Sequence, residues 1–204
     1  MVAEILWARH GEKVANLTRT FSYRVFDGDL TEAGRQQAED LAARLADGTG
    51  EPVGLLACSP LRRARQTAEI VGGRLGLTVA LELEDLREVN VGELDGRSDA
   101  GSWDTYTQVV TAWQAGGTGA RFPGGEDGAE LCARIRRALD TVARAAGGTR
   151  SLVVAHGANI RAALPGLTGA PDPGVDLLTG GTATLWVDPE RAPYPWVQLR
   201  AWPV

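Results

Sequence analysis

Short, continuous apolar runs alternate along the chain with longer segments in which apolar residues recur every three or four positions. Glu4 to Ala8 is such a run, and its unbroken apolar character predicts a first strand buried on both faces. Thr31 is placed to cap a helix through about Ala46, with Ala38, Leu41, Ala42 and Leu45 on one face and Gly48 and Gly50 at its end. Val53 to Cys58 predicts a second strand, and Ser59-Pro60 has the form of an N-cap followed by proline in the first turn. The helix that follows, Leu61 to Leu75, carries Ala64, Ala68, Val71 and Leu75 on its apolar stripe and stops at Gly76. Thr78 to Leu83 alternates as a third strand, and its glycines mark 86–96 as a loop. Helical spacing returns over Ser102 to Ala115 in Trp103, Tyr106, Val110 and Trp113, and a glycine-rich stretch then leads to a helix over about Glu126 to Ala146. Leu131, Ile135, Leu139 and Val142 form its stripe, and Glu126 and Asp127 suit the positive end of its dipole. Leu152 to Ala155 predicts a fourth strand, and Ala158 to Leu164 a short helix broken by Pro165-Gly166. Thr182 to Val187 and Val197 to Trp202 read as edge strands between prolines.

Strand alternating with helix implies an α/β fold of three layers, α/β/α, with a mainly parallel central sheet covered by helices on both faces. At 204 residues the expectation is one domain over 1–204, with 97–125 as a lid-like insertion. Hydrophobic residues at 44% and charged residues at 23% argue against disorder. An acid stands in the opening segment where a signal peptide carries basic residues, and no apolar run reaches membrane-spanning length, so no membrane partner and a cytoplasmic location are expected. Cys58 and Cys132 lack any metal or redox spacing and read as reduced, structural thiols. A net charge of −5 argues against a nucleic-acid surface. Of 21 basic residues only Lys13 is lysine, so an anion site here must rely almost entirely on arginine.

The candidate chemistry lies at the two histidines. His10 and His156 each stand where an apolar strand-like run ends and a glycine begins, as Ala8-Arg9-His10-Gly11 and Val154-Ala155-His156-Gly157. In a parallel sheet the C-terminal strand ends converge on one crevice, and Arg9 to Glu12, Ser59 to Arg63, Leu86 to Glu88 and His156-Gly157 all begin just past such ends. Two imidazoles, Arg9, Arg62 or Arg63, and one or more carboxylates suit a phosphoryl group: guanidinium forks match its oxygens, and glycines let backbone N–H groups approach. A metal site competes, but the histidines are remote in sequence and the nearby acids are flanked by arginines, with no dense ligand cluster.

Arg9-His10-Gly11-Glu12 with Asn16, Leu30-Thr31-x-x-Gly34-x-x-Gln37-Ala38, Ser59-x-Leu61-x-Arg63-Ala64-x-x-Thr67-Ala68, Leu86-x-Glu88-x-x-x-Gly92-x-x-Asp95-Gly96, Pro123-Gly124-Gly125-Glu126 and His156-Gly157-x-x-Ile160-Arg161 resemble, in order, the motifs of the histidine phosphatase superfamily, which includes the cofactor-dependent phosphoglycerate mutases. The resemblance implies a phosphoglycerate mutase-like fold, His10 as the nucleophile passing through a phosphohistidine, and Glu88 as proton donor to the leaving alcohol. It implies that Arg9, Arg63 and His156 hold the phosphoryl oxygens, with Asn16, Ser22 and Gly157 as further phosphate contacts; Ser22 stands in a loop without the glycine the family often places there. Glu12 is expected only to orient the loop.

Two arginines and a protonated His156 can neutralise the transferring group, so neither metal nor cofactor is expected. His10 needs an unprotonated attacking nitrogen, most simply with its other N–H fixed by a backbone carbonyl. An arriving phosphate dianion would favour the protonated Glu88 carboxyl. Ser98 through Ala120 contains no lysine or arginine where the mutases carry basic residues, which favours a phosphomonoesterase acting on a small phosphorylated metabolite. A phosphoglycerate mutase, with Arg121 folding back, and a non-catalytic phospho-ligand-binding module are the alternatives. Trp103, Tyr106 and Trp113 can belong to core or pocket, and Arg24 is a candidate for the pocket mouth. Oligomeric state is left open.

Overall fold

The computed structural model describes residues 1–25, 27–47, 50–170, 174, 176–191 and 196–201. Among them lie strands β1 (Ala3–Arg9), β2 (Val53–Cys58), β3 (Val79–Glu82), β4 (Arg150–Ala155), β5 (Thr182–Asp188) and β6 (Trp196–Ala201). They form one sheet in the order β3-β2-β4-β1-β5-β6. The first four are mutually parallel, and β5 and β6 are added antiparallel beyond β1. The helices are α1 (Val14–Leu17), α2 (Glu32–Ala46), α3 (Arg62–Leu75), α4 (Ala100–Gln114), α5 (Gly128–Ala146) and α6 (Gly157–Thr168).

The central strands are apolar over their inner residues because each face meets helices. Leu6, Ala8, Leu56, Cys58, Leu152 and Val154 pack with Leu41 and Ala42 of α2 and Ala64, Ala68 and Val71 of α3. Their neighbours Ile5, Trp7, Ala57, Val153 and Ala155 join Leu131, Ile135, Leu139 and Val142 of α5 and Ile160 of α6 in the other core. Burying a Leu or Ile this fully is worth roughly 1.5–3 kcal/mol over leaving it exposed. Side chains alternate between the faces, so a one-residue slip of β1 would exchange the two cores.

Several boundaries differ from the expectation. Ser59 is not the N-cap of α3: that place falls to Leu61, and the Ser59 hydroxyl accepts from Leu61 N–H at 3.3 Å while facing His156. Glu126 is outside α5, whose cap is Asp127, with its carboxylate on Glu130 N–H; Glu126 is drawn aside by Arg134. Pro165 does not break α6, which runs on to Gly169 (φ +72). Proline forfeits one helical hydrogen bond, but Leu164 and Leu167 are buried and hold that turn against the core. The long loop 9–30 contains α1, and 3-10 turns cover Glu84–Leu86 and Gly92–Leu94. Gly48 and Trp202, expected at the end of a helix and of a strand, lie outside the described residues.

Candidate active site

Register brings the histidines together. β1 and β4 pair in parallel with Arg9 opposite Ala155, so the next residues, His10 and His156, leave the sheet side by side. Their ring centroids are 5.2 Å apart at an interplanar angle of 65°. His10 N–H donates to Ala155 O (3.0 Å) and Ser59 N–H to Val154 O (2.9 Å), tying the ends of three strands to one point. Gly11 is required there by a close approach: a Cβ would lie 2.2 Å from Gly34 O at the start of α2. Gly11 N–H also donates to Thr67 Oγ1, while Glu12 N–H donates to Gln37 Oε1 and the Glu12 carboxylate accepts from Thr31 Oγ1, so the loop is clamped between α2 and α3.

His10 is buried, with Nδ1 2.6 Å from Gly11 O and Nε2 accepting from Arg63 Nε at 3.1 Å. That pair of contacts assigns the proton to Nδ1 and the lone pair to Nε2, inside the cleft. Burial, then the charges of Arg63 and Arg9, hold the His10 pKa well below 6.5, so the ring is neutral. Arg63 is itself 1% exposed; it donates to Ser22 O (3.0 Å) and faces Asp27 (3.5 Å). Desolvation lowers its pKa to about 10, which leaves it charged at neutral pH. Arg9 is anchored on Leu177 O at 2.7 Å and passes so close to Gly157 that a Cβ there would lie 2.9 Å from Arg9 Cδ.

His156 stands beside His10 but is fully buried and lines neither cleft described below. Its Nε2 is 2.9 Å from Ser59 Oγ, its Nδ1 has no hydrogen-bond partner, and its backbone carbonyl accepts from Trp7 Nε1. Burial and the charge of Arg63 lower its pKa well below 6.5, so without a bound anion the ring is neutral.

Glu88 is mounted from two sides. Its Oε1 accepts from its neighbour Val89 N–H and from Asn159 N–H in the first turn of α6, both at 2.9 Å, a helix end that favours a carboxylate. From below, Arg134 donates to the carbonyls of Asp85, Arg87 and Glu88 while pairing with buried Glu126 at 2.7 Å. Glu126 in turn accepts from Asn90 N–H, and Gly92 (φ +55) lies where a Cβ would come within 2.1 Å of Pro123 O. The Pro123 to Glu126 motif is thus a buttress for the Glu88 loop. Asp95 acts similarly for loop 22–25, its carboxylate accepting from the N–H groups of Tyr23, Arg24 and Val25.

Two adjoining clefts open on these groups. The inner one, about 150 Å³, is lined by Arg9, His10, Lys13, Asn16, Ser22, Arg63 and Glu88, with Phe21, Trp103 and Tyr106 at its side. The outer one, about 520 Å³, shares Arg9, Glu88, Trp103 and Tyr106 and adds Arg19, Gly157, Arg161 and Asp176. Trp103 and Tyr106 of α4 therefore face the clefts, whereas Trp113 is buried against Phe122 with its indole N–H on Ala120 O. Arg121 pairs with Asp127 and Glu130 and Arg24 lies over Tyr23; neither lines a cleft. Arg19 and Arg161 supply basic groups that the sequence reading sought only between 98 and 121. Ser59 and Lys13 were also missed. Lys13 carried a signal, as the only lysine, three residues after the nucleophile candidate.

Residues 5–188 match the sequence model of the histidine phosphatase superfamily (branch 1), and the chain belongs to that superfamily. A protein of Yersinia pestis named "probable phosphoglycerate mutase GpmB" is 33% identical over 172 residues, covering 82% of this chain and 76% of its own length. The mycobacterial glucosyl-3-phosphoglycerate phosphatase has a similar structure, with 26% identity, a TM-score of 0.79 and 99% of each chain covered. The same protein in complex with inorganic phosphate superposes with a TM-score of 0.75 at 26% identity, over 98% of this chain and 96% of that one. No helix among the described residues is long and apolar enough to cross a membrane.

Proposed function

We propose that the protein is a phosphomonoesterase that hydrolyses small phosphorylated metabolites through a phosphohistidine on His10, without a metal or cofactor. The observation that carries this reading is the state of His10: neutral, Nδ1–H on Gly11 O, and the Nε2 lone pair directed at Arg63 in a cleft shared with Glu88. Nε2 attacks phosphorus as the bond to the leaving oxygen breaks, and the Glu88 carboxyl donates its proton to that oxygen. Gly11 O stabilises the positive charge then carried by the ring. Arg63 Nε moves from Nε2 to a phosphoryl oxygen, and with Arg9 neutralises the equatorial charge; His156 gains its proton only as the dianion arrives. Glu88 next takes a proton from water, whose oxygen attacks phosphorus and releases His10 and inorganic phosphate. The outer cleft takes the alcohol, with Trp103 and Tyr106 as an apolar wall suited to a sugar or nucleoside face. On this reading 97–125, which contains α4, is the lid-like part of a single domain.

A phosphoglycerate mutase is the second reading, favoured by the named Yersinia relative and by Arg19 and Arg161 in the outer cleft. A non-catalytic phospho-ligand module is the reading of another class. Acid-sensitive, alkali-stable labelling on His10 with a phosphate donor, alongside phosphate release and phosphoglycerate isomerisation, separates the three. The phosphatase reading expects labelled His10, dominant phosphate release and no turnover by His10→Ala. Isomerisation outpacing release would replace it with the mutase; binding without labelling would leave only the module.

A further inference from the structure

Lys13 takes no part in the chemistry derived above, yet it lies within the inner cleft. It is 3% exposed, and its ammonium bonds Ser22 Oγ. Its backbone is fixed twice, by Asn16 Oδ1 accepting its N–H at 3.0 Å and by a bridge to Leu30. Such anchoring aims a long side chain at one place. Arg63 and Arg9 share that cleft, so a third permanent cation would be repelled in the empty site. This chain uses arginine at every other basic position but not here. Arginine stays charged throughout the ordinary pH range, whereas a buried lysine can shed its proton and regain it.

We propose that Lys13 Nζ is a phosphoryl ligand that takes a proton from solvent when a tetrahedral dianion enters the inner cleft and contacts one of its oxygens, returning the proton as the anion leaves. The inference deepens the reading of His10 as a phosphoryl acceptor and rests on it. Desolvation, then Arg63, draws the amine down from 10.5 to about 7 in the empty site, against the pull of Glu88, Asp27 and Asp95. The groups facing it are thus Arg63 from α3, the carboxylates of Glu88, Asp27 and Asp95, neutral His10 with Arg9 at the end of β1, and neutral His156 at the start of α6. An incoming dianion adds opposite charge and reverses the balance. Lys13 then carries its full charge while the anion is bound and a reduced one without it.

The test is binding of tungstate, a tetrahedral dianion at neutral and alkaline pH, to the intact protein and to Lys13→Arg and Lys13→Met, by calorimetry in buffers of different ionisation heat. For the wild type, affinity should fall by up to about tenfold per pH unit above about pH 7, with uptake of close to one proton attributable to Lys13 near about pH 8. Lys13→Arg should bind with a flatter profile, and Lys13→Met should bind about tenfold or more weakly at about pH 7, without that proton. The Lys13 charge also lowers the pKa of His10 and His156, behind burial and Arg63, so the decisive comparison is the wild type with Lys13→Arg, which keeps a cation beside the two rings. Equal pH slopes and proton uptake in all three proteins, or no tungstate binding by the wild type, would overturn the proposal. If Lys13→Met does not fold, the wild type against Lys13→Arg still decides on slope and proton uptake. Labelling of His10 in the same wild-type preparation keeps the two claims apart: a labelled His10 with unchanged slopes removes only the role of Lys13, and an unlabelled one removes the phosphohistidine itself.

Discussion

Arg134 braces the backbone of the Glu88 loop, and Arg134→Met removes that brace with little loss of volume. The variant loses two hydrogen bonds to Glu126, at 2.7 and 2.8 Å, and those to the carbonyls of Asp85 (2.8 Å), Arg87 (2.7 Å) and Glu88 (3.0 Å). Both side chains of the ion pair are largely buried, 13% and 8% exposed, so Glu126 would be left as an uncompensated charge with Asn90 N–H as its remaining donor. Breaking such a pair from one side costs about 3–5 kcal/mol. At about 2–4 °C per kcal/mol for a chain of this size, Tm should fall by on the order of 10 °C. Equilibrium urea unfolding of the wild type, Arg134→Met, Glu126→Met and the double variant forms the assay. The double variant should be markedly less destabilised than the sum of the singles, by about 2 kcal/mol or more, because it leaves no orphaned charge. Arg134→Met unfolding within about 1 kcal/mol of the wild type, or a cycle additive within about 0.5 kcal/mol, would refute the reasoning.

Glu88→Gln should lower kcat for alkyl phosphates by about 10²–10⁴-fold but cost activated aryl phosphates far less, since only a poor leaving group needs the proton; equal losses measured on both substrate classes would sink the proton-donor role. His10 and His156 have folded-state pKa values below their unfolded 6.5, so the unfolded chain binds the extra protons. Their contribution to stability is therefore intact above about pH 6.5 and is lost as pH falls through it, by up to about 1.4 kcal/mol per pH unit for each ring. Denaturant unfolding between about pH 7 and pH 5 should show a shallower loss in a His10→Gln, His156→Gln double variant, and parallel curves would contradict the buried, neutral state of both rings. Lys13→Met should raise the stability of the empty protein at neutral pH, where the folded state pays for a suppressed ammonium; a lower Tm would show that the amine stabilises the empty fold.

Much of this architecture is carried by local pattern. The apolar run ending at Ala8 and the one ending at Ala155 announce buried strands, and the stripes through Leu41 and Leu131 announce α2 and α5, because residues two or three to four apart on one face answer to the same environment. The ordered motifs also point to His10, Arg63 and Glu88, and these three line one cleft. Local pattern cannot say what a residue meets across the fold. Ser59 looked like a helix cap but faces His156, 97 positions away; Glu126 looked like a helix start but answers to Arg134.

Trp103 and Trp113 share one helical stripe, yet only the first lines a cleft, because α4 meets the core at one end and the open site at the other. Pro165 reads as a break, and burial of Leu167 outweighs it. The charge state of the site was beyond the sequence for the same reason. Whether His156 is neutral and whether Lys13 can lose its proton depend on desolvation and on Arg63, and both are set by parallel pairing of β1 with β4 and the packing of α3 beneath them. The sequence determined which groups are available and which elements carry them. Tertiary structure alone decided which groups are dry, which are adjacent, and therefore which are charged.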